Sequence, residues 1–422
     1  STWSSLSLLQ RKEQASSCFD LHRPLDDQLI ALKGAMRRLT MVDFRLDEMQ
    51  TMLKELAHEF AKDEIRPHAE HWDEQSHYPK DTIQAAHEMG LLNLHIPEAY
   101  GGAGLGSIEE VLVNEELAWG DPGFATAAYA TALASAPIIT GATDDQKERW
   151  LRKIAEEGAL ASYAVTEPGA GSDVAACKTT ALRDGDDYVI NGSKMWITGA
   201  GYADFFFVLA KTDPEAGYRG MSGFIVEKDA EGFSLGKKET NMGQRCSDTR
   251  SINFDDVRVP AENLIGGSES GGWMNAMKAF DMSRPNIAAH ATGLARAAYE
   301  HALQYANERQ TFGKPLHQHQ AIQFMLADMK TNIEAARMLT WKSAAEYDAG
   351  IRNTESAAHA KRFAADMAMQ VATEAVQIYG GYGYSEEYPV ARLMRGAKVM
   401  QIYEGSSQVQ RMIIGREITK GL

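Results

Sequence analysis

The residue whose type and setting best suggest chemistry is Glu404, in the stretch QIYEGSSQVQRMIIG from Gln401 to Gly415. It stands between a tyrosine and a glycine, just before a predicted helix, where a carboxylate could belong to an active site. It could equally be structural, since an acidic residue ahead of a helix is favoured by the macrodipole and Ser407 with Gln410 matches a capping box. This stretch alone leaves both interpretations open.

Two other stretches could form the wall of a ligand site. YAVTEPGAGSD begins at Tyr163, and its glycines and small side chains leave the backbone free to approach a flat or phosphorylated ligand. KMWITGAG places Trp196 in a strand and Thr198 before a glycine turn, where an indole and a hydroxyl could line an aromatic cofactor. The structural alternatives are a loop that enters a β domain and a core tryptophan.

Three more stretches can each be interpreted either as part of a ligand site or as a structural feature. The histidines of ERQTFGKPLHQHQAI have no carboxylate or cysteine at ligand spacing, so no metal site is predicted. AFDMSRPNIAA and RNT place Asp281, Arg284 and Arg352 in a charged helix turn and a loop between helices. QIYGGYGY has two adjacent glycines, which favour close approach to a ligand or another subunit, or a helix C-cap.

The elements that must position these residues change in type along the chain. Helical periodicity from Phe44 to about residue 160 is interrupted at PEAYGGAGLG and DPG, and it returns in long segments after Gly272. Between them, YVINGSKMWIT is predicted as a hairpin across Asn191-Gly192, and DFFFVLA, GFIVE and SINFDDVRV are predicted strands. Because βα units do not alternate, a Rossmann sheet is not expected. We predict an extension at 1–40, a helical domain at 41–160, a β domain at 161–270 and a helical domain at 271–422.

Composition narrows the functional class. The chain has 422 residues, of which 44% are hydrophobic, and a formal net charge of -15, which argues against a general binder of nucleic acids or anionic membranes. Three widely spaced cysteines favour a reducing compartment, and we expect a soluble intracellular protein without a transmembrane segment. Met41 is a plausible native start. A mitochondrial transit segment is the alternative for the first forty residues, although their acidic residues argue against it.

Taken together and in this order, YAVTEPGAGSD, KMWIT, RQTFGK, QIYGGYGY and YEGSSQVQR resemble the acyl-CoA dehydrogenase flavoprotein family. The resemblance runs from about Phe44 to the end, and NMGQRCSDTR, AFDMSRP and IRNTE are most similar to its medium-chain members. It implies an α+β multidomain fold with an N-terminal helical domain, a middle β-barrel or sandwich domain and a C-terminal four-helix bundle. It also implies a homotetramer, built as a dimer of dimers.

The function that the resemblance implies is FAD-dependent dehydrogenation of short-to-medium-chain acyl-CoA thioesters to trans-2-enoyl-CoA in fatty-acid β-oxidation. Glu404 would take the Cα proton, flavin N5 would accept the Cβ hydride, and electron-transferring flavoprotein would accept the electrons. An apolar pocket would raise the pKa of the glutamate and make it a stronger base. The Glu404 N–H, with a ribityl hydroxyl of FAD, would donate to the thioester carbonyl.

The implied site residues follow from the matched motifs. Five of them would reach FAD across a subunit boundary, namely Arg309, Thr311, Gln377, Gly380 and Gly381. The FAD contacts are Tyr163, Val165, Thr166, Gly171, Ser172, Trp196, Ile197, Thr198, Arg309, Thr311, Phe312, His319, Gln320, Gln377, Gly380, Gly381, Gly405, Ser406 and Gln408. The substrate contacts are Ser172, Asp281, Ser283, Arg284, Arg352, Thr354, Glu404 and Arg416. Arg284 could instead form a fixed ion pair with Asp281.

Two residues depart from the medium-chain pattern. Ser406 stands where threonine is usual, and Tyr129 stands where a smaller or acidic residue would line the deep end of the acyl cavity. Since one methylene is worth only about 1–3 kcal/mol, a graded chain-length preference is expected. The alternatives are a branched-chain or other acyl-CoA dehydrogenase, an acyl-CoA oxidase, a non-catalytic acyl-CoA-binding protein and, more weakly, a flavin monooxygenase. The expected compartment is the cytoplasm of a bacterium or the mitochondrial matrix of a eukaryote.

Overall fold

The computed structural model describes residues 44–420. The chain divides into two compact units, residues 1–49 and residues 50–422, and the first is described only from residue 44 onward. The predicted extension 1–40 and the candidate start Met41 lie outside the described residues. Apart from the first two residues of the first helix, Glu48 and Met49, the elements described below belong to the second unit.

The N-terminal region is helical, as predicted. Its helices are α1 (Glu48–Phe60), α2 (Ala69–Glu74), α3 (Lys80–Glu88), α4 (Ser107–Gly120), α5 (Pro122–Gly141) and α6 (Asp144–Glu157). The predicted interruptions separate α3 from α4 and α4 from α5. At the second of these, the Asp121 side chain accepts a hydrogen bond from the Phe124 N–H at 2.9 Å, and Pro122 occupies the first position of α5. This arrangement satisfies a free N–H group at the helix start.

α5 is the central helix of this region. It is long and apolar enough to cross a membrane, but 83% of its apolar window is buried inside the protein. It packs against β1 and against the long helix of the C-terminal region. Core helices of globular domains have the same composition, and burial on all sides explains the uniform apolarity of α5.

The middle of the chain forms one sheet of seven strands among the described residues. The strands are β1 (Ala161–Ala164), β2 (Thr180–Asp184), β3 (Asp187–Thr198), β4 (Phe205–Lys211), β5 (Met221–Glu227), β6 (Phe233–Lys238) and β7 (Thr249–Pro260). Their order is β1-β4-β2-β3-β7-β6, and β5 pairs with β4. The three strands predicted from DFFFVLA, GFIVE and SINFDDVRV are confirmed as β4, β5 and β7.

The predicted hairpin at Asn191-Gly192 is wrong, because β3 runs straight through both residues. Gly192 has φ +144°, and a Cβ there would lie 2.5 Å from Thr179 Oγ1, so this glycine permits close approach of a neighbouring strand. The register with β7 shifts at this point, and the Asn191 side chain caps the Asp256 N–H at 2.9 Å. The hairpin turn lies earlier, at Gly185 and residue 186 between β2 and β3.

The C-terminal region is again helical. Its elements are α7 (Gly272–Glu308), the short strands β8 (Gln310–Thr311) and β9 (Lys314–Pro315), α8 (Gln320–Asp348), α9 (Thr354–Tyr379), α10 (Pro389–Met400) and α11 (Ser407–Ile418). α7 packs against α4, α8 and α9 along faces that are rich in buried alanine. The predicted three-part α+β fold is confirmed, whereas the boundaries at 160/161 and 270/271 remain predictions.

Buried ion pairs join the first helical region to the last. Arg337 on α8 donates to Glu115 on α4 at 2.8 Å, and Arg296 on α7 pairs with Glu115 and Glu116. Removal of one partner from such a network leaves a buried charge uncompensated, which typically costs 3–5 kcal/mol. The network therefore fixes the relative positions of the helices that surround the site.

Candidate active site

Glu404 lies in the short loop between α10 and α11, and its backbone is in the left-handed region. Glu404 has φ +55° and Gly405 has φ +84°. This conformation is unfavourable for a glutamate, so surrounding contacts must hold it. Lys361 Nζ on α9 donates to the Gly405 carbonyl at 2.6 Å, and Gln410 Nε2 donates to the Glu404 and Gly405 carbonyls at 3.1 and 3.0 Å.

The helix start predicted beside Glu404 is confirmed, but the predicted capping box is wrong by one residue. The cap is Ser406, whose hydroxyl accepts a hydrogen bond from the Val409 N–H at 3.2 Å. Ser407 donates instead to Asp366 on α9 at 2.7 Å, and the Gln410 amide serves the loop carbonyls. Tertiary contacts therefore use the two side chains that the local pattern assigned to the cap.

The Glu404 carboxylate lies against α7. Ser283 is fully buried on that helix, and its Oγ donates to Glu404 Oε2 at 2.8 Å. Burial raises the pKa of Glu404 above that of a solvated glutamate, although the Ser283 hydrogen bond and the positive charges of Arg284 and Lys361 oppose the shift. A carboxylate with a raised pKa that lies within reach of a ligand is suited to general base catalysis.

The Glu404 N–H is available for a ligand. Among the described residues, no backbone or side-chain group accepts a hydrogen bond from it. A free N–H group and a basic carboxylate of one residue therefore occur together. Such a pair can remove a proton and stabilise the negative charge that develops on an adjacent carbonyl oxygen.

The predicted substrate residues form two groups near this loop. In the first, Arg284 pairs with Asp281 at 3.0 Å and Thr354 donates to Asp281 at 2.7 Å. The ion-pair alternative for Arg284 is therefore present in the structure, while its Nε is buried without a hydrogen-bond partner among the described residues. In the second group, Arg352 and Arg416 both contact Glu417 and are largely exposed. Exposed guanidinium groups of this kind can bind phosphate.

The first group of predicted cofactor residues lies along β1, β3 and the loop after β1. Trp196 has φ +63° and a 55% exposed side chain, although it stands inside a strand. Gly171 and Ser172 are exposed, and Thr166, Thr198 and Gln408 are not fully buried. An exposed indole in a strained conformation at the edge of an open glycine loop suits a flat aromatic ligand.

Other members of this group have packing roles. Tyr163 stacks on Phe207 at 5.1 Å and donates to the Ala276 carbonyl at 3.3 Å, and Val165 and Ile197 are buried. Lys194 and Glu167 form a buried pair at 2.9 Å under the loop. Although burial acts in the opposite direction, the charge of Lys194 and several hydrogen bonds lower the pKa of Glu167 to about 2. The base of the glycine loop is therefore rigidly held.

The second group lies around a cleft of about 660 Å³ in the C-terminal region. Arg309, Thr311, Gly380 and Gly381 line the cleft, and His319 lies 3.2 Å from the Thr311 hydroxyl. Phe312, at the tip of the β8–β9 turn, is 97% exposed, Gln320 begins α8, and Gln377 stands in the last turn of α9. None of the described residues that line the cleft comes from the β domain or the Glu404 loop. Within one chain, the predicted cofactor residues of the β domain are therefore separate from those of the C-terminal cleft.

Sequence reasoning missed Lys361, which is fully buried and contacts the Glu404 loop. Burial lowers its pKa to about 7, against the opposing effect of Glu404. A signal was available, because Lys361 stands at helical spacing between Ala357 and Ala364, within an apolar stripe of α9. A lysine at such a position must find a specific partner.

Tyr129 was predicted to line the deep end of the acyl cavity. It is only 6% exposed, and it packs with Ala132 and Ile287 beside Tyr403, the neighbour of Glu404. Burial raises the pKa of Tyr129 well above its ordinary value, and the charges of Glu110 and Glu404 add to the shift. The side chain therefore lies between the loop of the candidate base and the interior of the helical core.

Comparisons with known proteins match the chain over nearly all of its described residues. Family models of the acyl-CoA dehydrogenase N-terminal, middle and C-terminal domains match residues 47–158, 162–257 and 270–419. A probable medium-chain specific acyl-CoA dehydrogenase of Caenorhabditis briggsae is 43% identical over 391 residues, which cover 92% of this chain and 94% of the relative. A cyclohexane-1-carbonyl-CoA dehydrogenase of Geobacter metallireducens is 44% identical over 379 residues, with coverage of 89% and 99%.

A solved structure also matches the chain over nearly its whole length. Butyryl-CoA dehydrogenase from Megasphaera elsdenii superposes with a TM-score of 0.88 at 43% sequence identity, and the match covers 90% of this chain and 100% of the other. The chain is thus related to a solved structure over nearly its whole described length.

Proposed function

This chain belongs to the acyl-CoA dehydrogenase family, and from this premise we propose that it converts short-to-medium-chain acyl-CoA thioesters to trans-2-enoyl-CoA. The family makes it an FAD-dependent oxidoreductase. One observation supports the specific reaction best: Glu404 combines a pKa raised by burial with an N–H that no described residue uses. The α,β-dehydrogenation of a thioester needs both a base at Cα and a donor to the carbonyl oxygen.

In the proposed mechanism, the Glu404 carboxylate takes the proton from Cα of the substrate. Ser283 holds one carboxylate oxygen at 2.8 Å, and the other, to which no described residue donates a hydrogen bond, would face the substrate. The Glu404 N–H donates to the thioester oxygen, where negative charge develops as the proton leaves. The left-handed backbone at Glu404 and Gly405 lets one residue present both groups.

FAD would be held against the β domain by the exposed Trp196 and by the open glycine loop that ends at Ser172. Thr166 and Thr198 would add hydroxyl groups to this surface. Bound FAD would supply the oxidant for the hydride that leaves Cβ. We propose that Arg309, Thr311, Gly380 and Gly381 contact the FAD of a neighbouring subunit, because their cleft is separate from the Glu404 loop. This arrangement would require a homotetramer or at least a dimer.

The chain-length range rests on Tyr129. Its buried ring occupies the region beyond Tyr403, so a long acyl chain would have to displace it. The relatives are named for medium-chain, cyclohexane-carbonyl and butyryl substrates, which leaves the range of this chain a proposal. We place it at short-to-medium acyl groups, with a graded preference.

The remaining parts of the proposal concern the cellular setting. The CoA portion of the substrate would be bound by five residues, and the exposed guanidinium groups among them would lie nearest to its phosphates. The five are Arg284, Arg352, Arg416, Asp281 and Thr354. Electron-transferring flavoprotein would reoxidise the enzyme within fatty-acid β-oxidation. One relative is named as mitochondrial, and the matrix or a bacterial cytoplasm would suit the reaction.

The test is an anaerobic titration of the purified yellow protein with butanoyl-, octanoyl- and palmitoyl-CoA, monitored by the absorbance of oxidised flavin. We expect bleaching with the shorter chains and little or none with palmitoyl-CoA. If all three thioesters bind without bleaching, the chain is not a dehydrogenase of straight-chain acyl groups. Bleaching that is strongest with palmitoyl-CoA would overturn the chain-length assignment alone.

A further inference from the structure

A chain of buried polar side chains crosses the helical core behind Tyr129. Glu110 and Asn114 stand four residues apart on α4, and Asn286 and His290 stand four residues apart on α7, so each pair lies on one helix face. All four are at most 8% exposed. Much of the rest of this interface consists of buried alanines of α7 and the ion pairs of Arg296 with Glu115 and Glu116. Polar residues at core positions break the hydrophobic pattern, and such breaks are expected at functional sites.

The side chains are joined by hydrogen bonds. Asn114 donates to Asn286 at 2.9 Å, and Asn286 donates to Glu110 at 3.2 Å. His95 contacts Glu110 at 2.5 Å on the other side, and His290 Nε2 contacts Asn114 Oδ1 at 3.1 Å. Each helix therefore contributes to one connected network rather than to isolated pairs.

The network begins close to the candidate base. Ser283, which holds Glu404, lies three residues before Asn286 and seven before His290, so the three residues share one face of α7. At a rise of about 1.5 Å per residue, Asn286 and His290 lie about 4.5 and 10 Å further along the helix than Ser283. Tyr129 packs on Ile287 of the same segment. The network therefore lies along α7 from the contact of Ser283 with Glu404 and behind the Tyr129 ring.

Several hydrogen-bonding groups of this region have no partner at hydrogen-bond distance among the described residues. They are Asn93 Oδ1, His290 Nδ1 and Tyr129 Oη, which lies near the Asn286 side chain but outside hydrogen-bond geometry, and each atom is buried. Asn93, Glu110, Asn114 and Tyr129 line, together with apolar side chains, a small partly open cavity of about 10 Å³, which is about the space that one water-sized polar group needs. An unsatisfied buried group costs about 1–3 kcal/mol, so this set favours a ligand that can satisfy it.

We propose that the acyl cavity ends in a polar subsite formed by Tyr129, Asn93, Glu110 and Asn114, which binds a hydrogen-bond donor at the far end of a short acyl chain. This inference rests on the proposed function and specifies its substrate class. Asn93 Oδ1 and the Glu110 carboxylate are acceptors, and the Tyr129 hydroxyl can donate or accept. A terminal hydroxyl fits this set. A terminal carboxylate does not, because it would face Glu110 at close range.

The test compares three thioesters in the anaerobic reductive half-reaction of the holoenzyme. Hexanoyl-CoA and freshly prepared 5-hydroxypentanoyl-CoA have acyl groups with the same number of non-hydrogen atoms, and glutaryl-CoA carries a terminal carboxylate. We expect a rate per concentration about tenfold higher for the hydroxyl than for the methyl terminus, which corresponds to one good hydrogen bond. We expect glutaryl-CoA to be the slowest substrate.

Two variants make the result specific. Tyr129→Phe keeps the ring and removes the hydroxyl, and it should reduce the preference for 5-hydroxypentanoyl-CoA at least threefold. Tyr299→Phe on α7, a partly buried tyrosine outside the subsite, should leave the preference unchanged. Equal rates for the two matched thioesters, or an unchanged preference in Tyr129→Phe, would overturn the polar subsite while the dehydrogenase function stands. If none of the three bleaches the flavin, the proposed function itself fails, and the subsite with it.

Discussion

At the scale of single residues, the account depends on the backbone of Glu404 and Gly405. A non-glycine residue in the left-handed region costs on the order of 1–3 kcal/mol, so the loop needs contacts that compensate for this cost. The buried Lys361 and Gln410 provide them through the two loop carbonyls. The same lysine also places a positive charge near the carboxylate, which couples the shape of the loop to its electrostatics.

Lys361→Met should therefore alter the pH dependence of the reductive half-reaction. Below its pKa of about 7, Lys361 is charged and favours the ionised form of Glu404, which lowers the pKa of the base. Without that charge the pKa of Glu404 rises, so the acidic limb of the pH–rate profile should move to higher pH by roughly half a unit. Lys342→Met, at a lysine with a 64% exposed side chain, is the control and should not move it. A purely structural role for Lys361 would lower the rate equally at all pH values.

Glu404 could be predicted from the sequence because the YEGSS motif carries its resemblance within a few residues. Lys361 and the network around Glu110 could not be read so directly, since their partners are distant in the chain. The Lys361 contact spans 44 residues, and that of Asn286 with Glu110 spans 176. Local pattern shows that a polar residue occupies a core position, but only the packed helices show what it contacts.

At the scale of elements, the crossing of α4 and α7 positions the site. Gly293 on α7 allows this crossing, because a Cβ there would lie 2.1 Å from the Glu115 carbonyl oxygen. The strand elements carry a related lesson. The Asn191-Gly192 pair has the composition of a hairpin turn, yet its glycine serves close packing inside β3, so composition alone could not distinguish a turn from a close contact.

Gly293→Ala should destabilise the protein strongly. Backbone atoms of α4 cannot move aside as a flexible side chain would, so we expect a loss of more than about 3 kcal/mol and a clearly lower melting temperature. Gly415→Ala on α11 is the matched control, since a Cβ there would meet no described atom within 4 Å apart from the backbone of its own helix. Helix propensity should make it neutral or more stable by about 0.5–1 kcal/mol. Equal melting temperatures for the two variants would show that the helix crossing is not as close as described.

At the scale of the whole molecule, one chain presents the candidate cofactor residues on two separate surfaces. Phe312 and Tyr384 in the C-terminal region are 97% and 90% exposed, and large exposed aromatic side chains commonly mark contacts with another protein. The three-part fold was predictable because helical and strand periodicities change at recognisable places. Assembly was not predictable in this way, since surface patches carry no comparable periodicity, and the tetramer therefore remains a proposal.

Phe312→Ser should weaken both assembly and FAD retention if this surface meets a second subunit. We expect a shift toward smaller species in analytical ultracentrifugation, together with a lower ratio of flavin to protein after gel filtration. Leu182→Ser, at a 51% exposed leucine on β2, is the control and should change neither property. A variant that stays fully assembled and fully loaded with flavin would place the interface elsewhere.

The central claim is that Glu404 removes the Cα proton, and stopped-flow flavin reduction by Glu404→Gln with butanoyl-CoA tests it most directly. Glutamine keeps the size of the side chain and the backbone N–H but cannot accept the proton, so we predict that flavin reduction slows by at least about 10²–10⁴-fold. The variant should remain yellow and should still bind the CoA thioester with similar affinity. Reduction within a few-fold of the wild-type rate would contradict the assignment of Glu404 as the base.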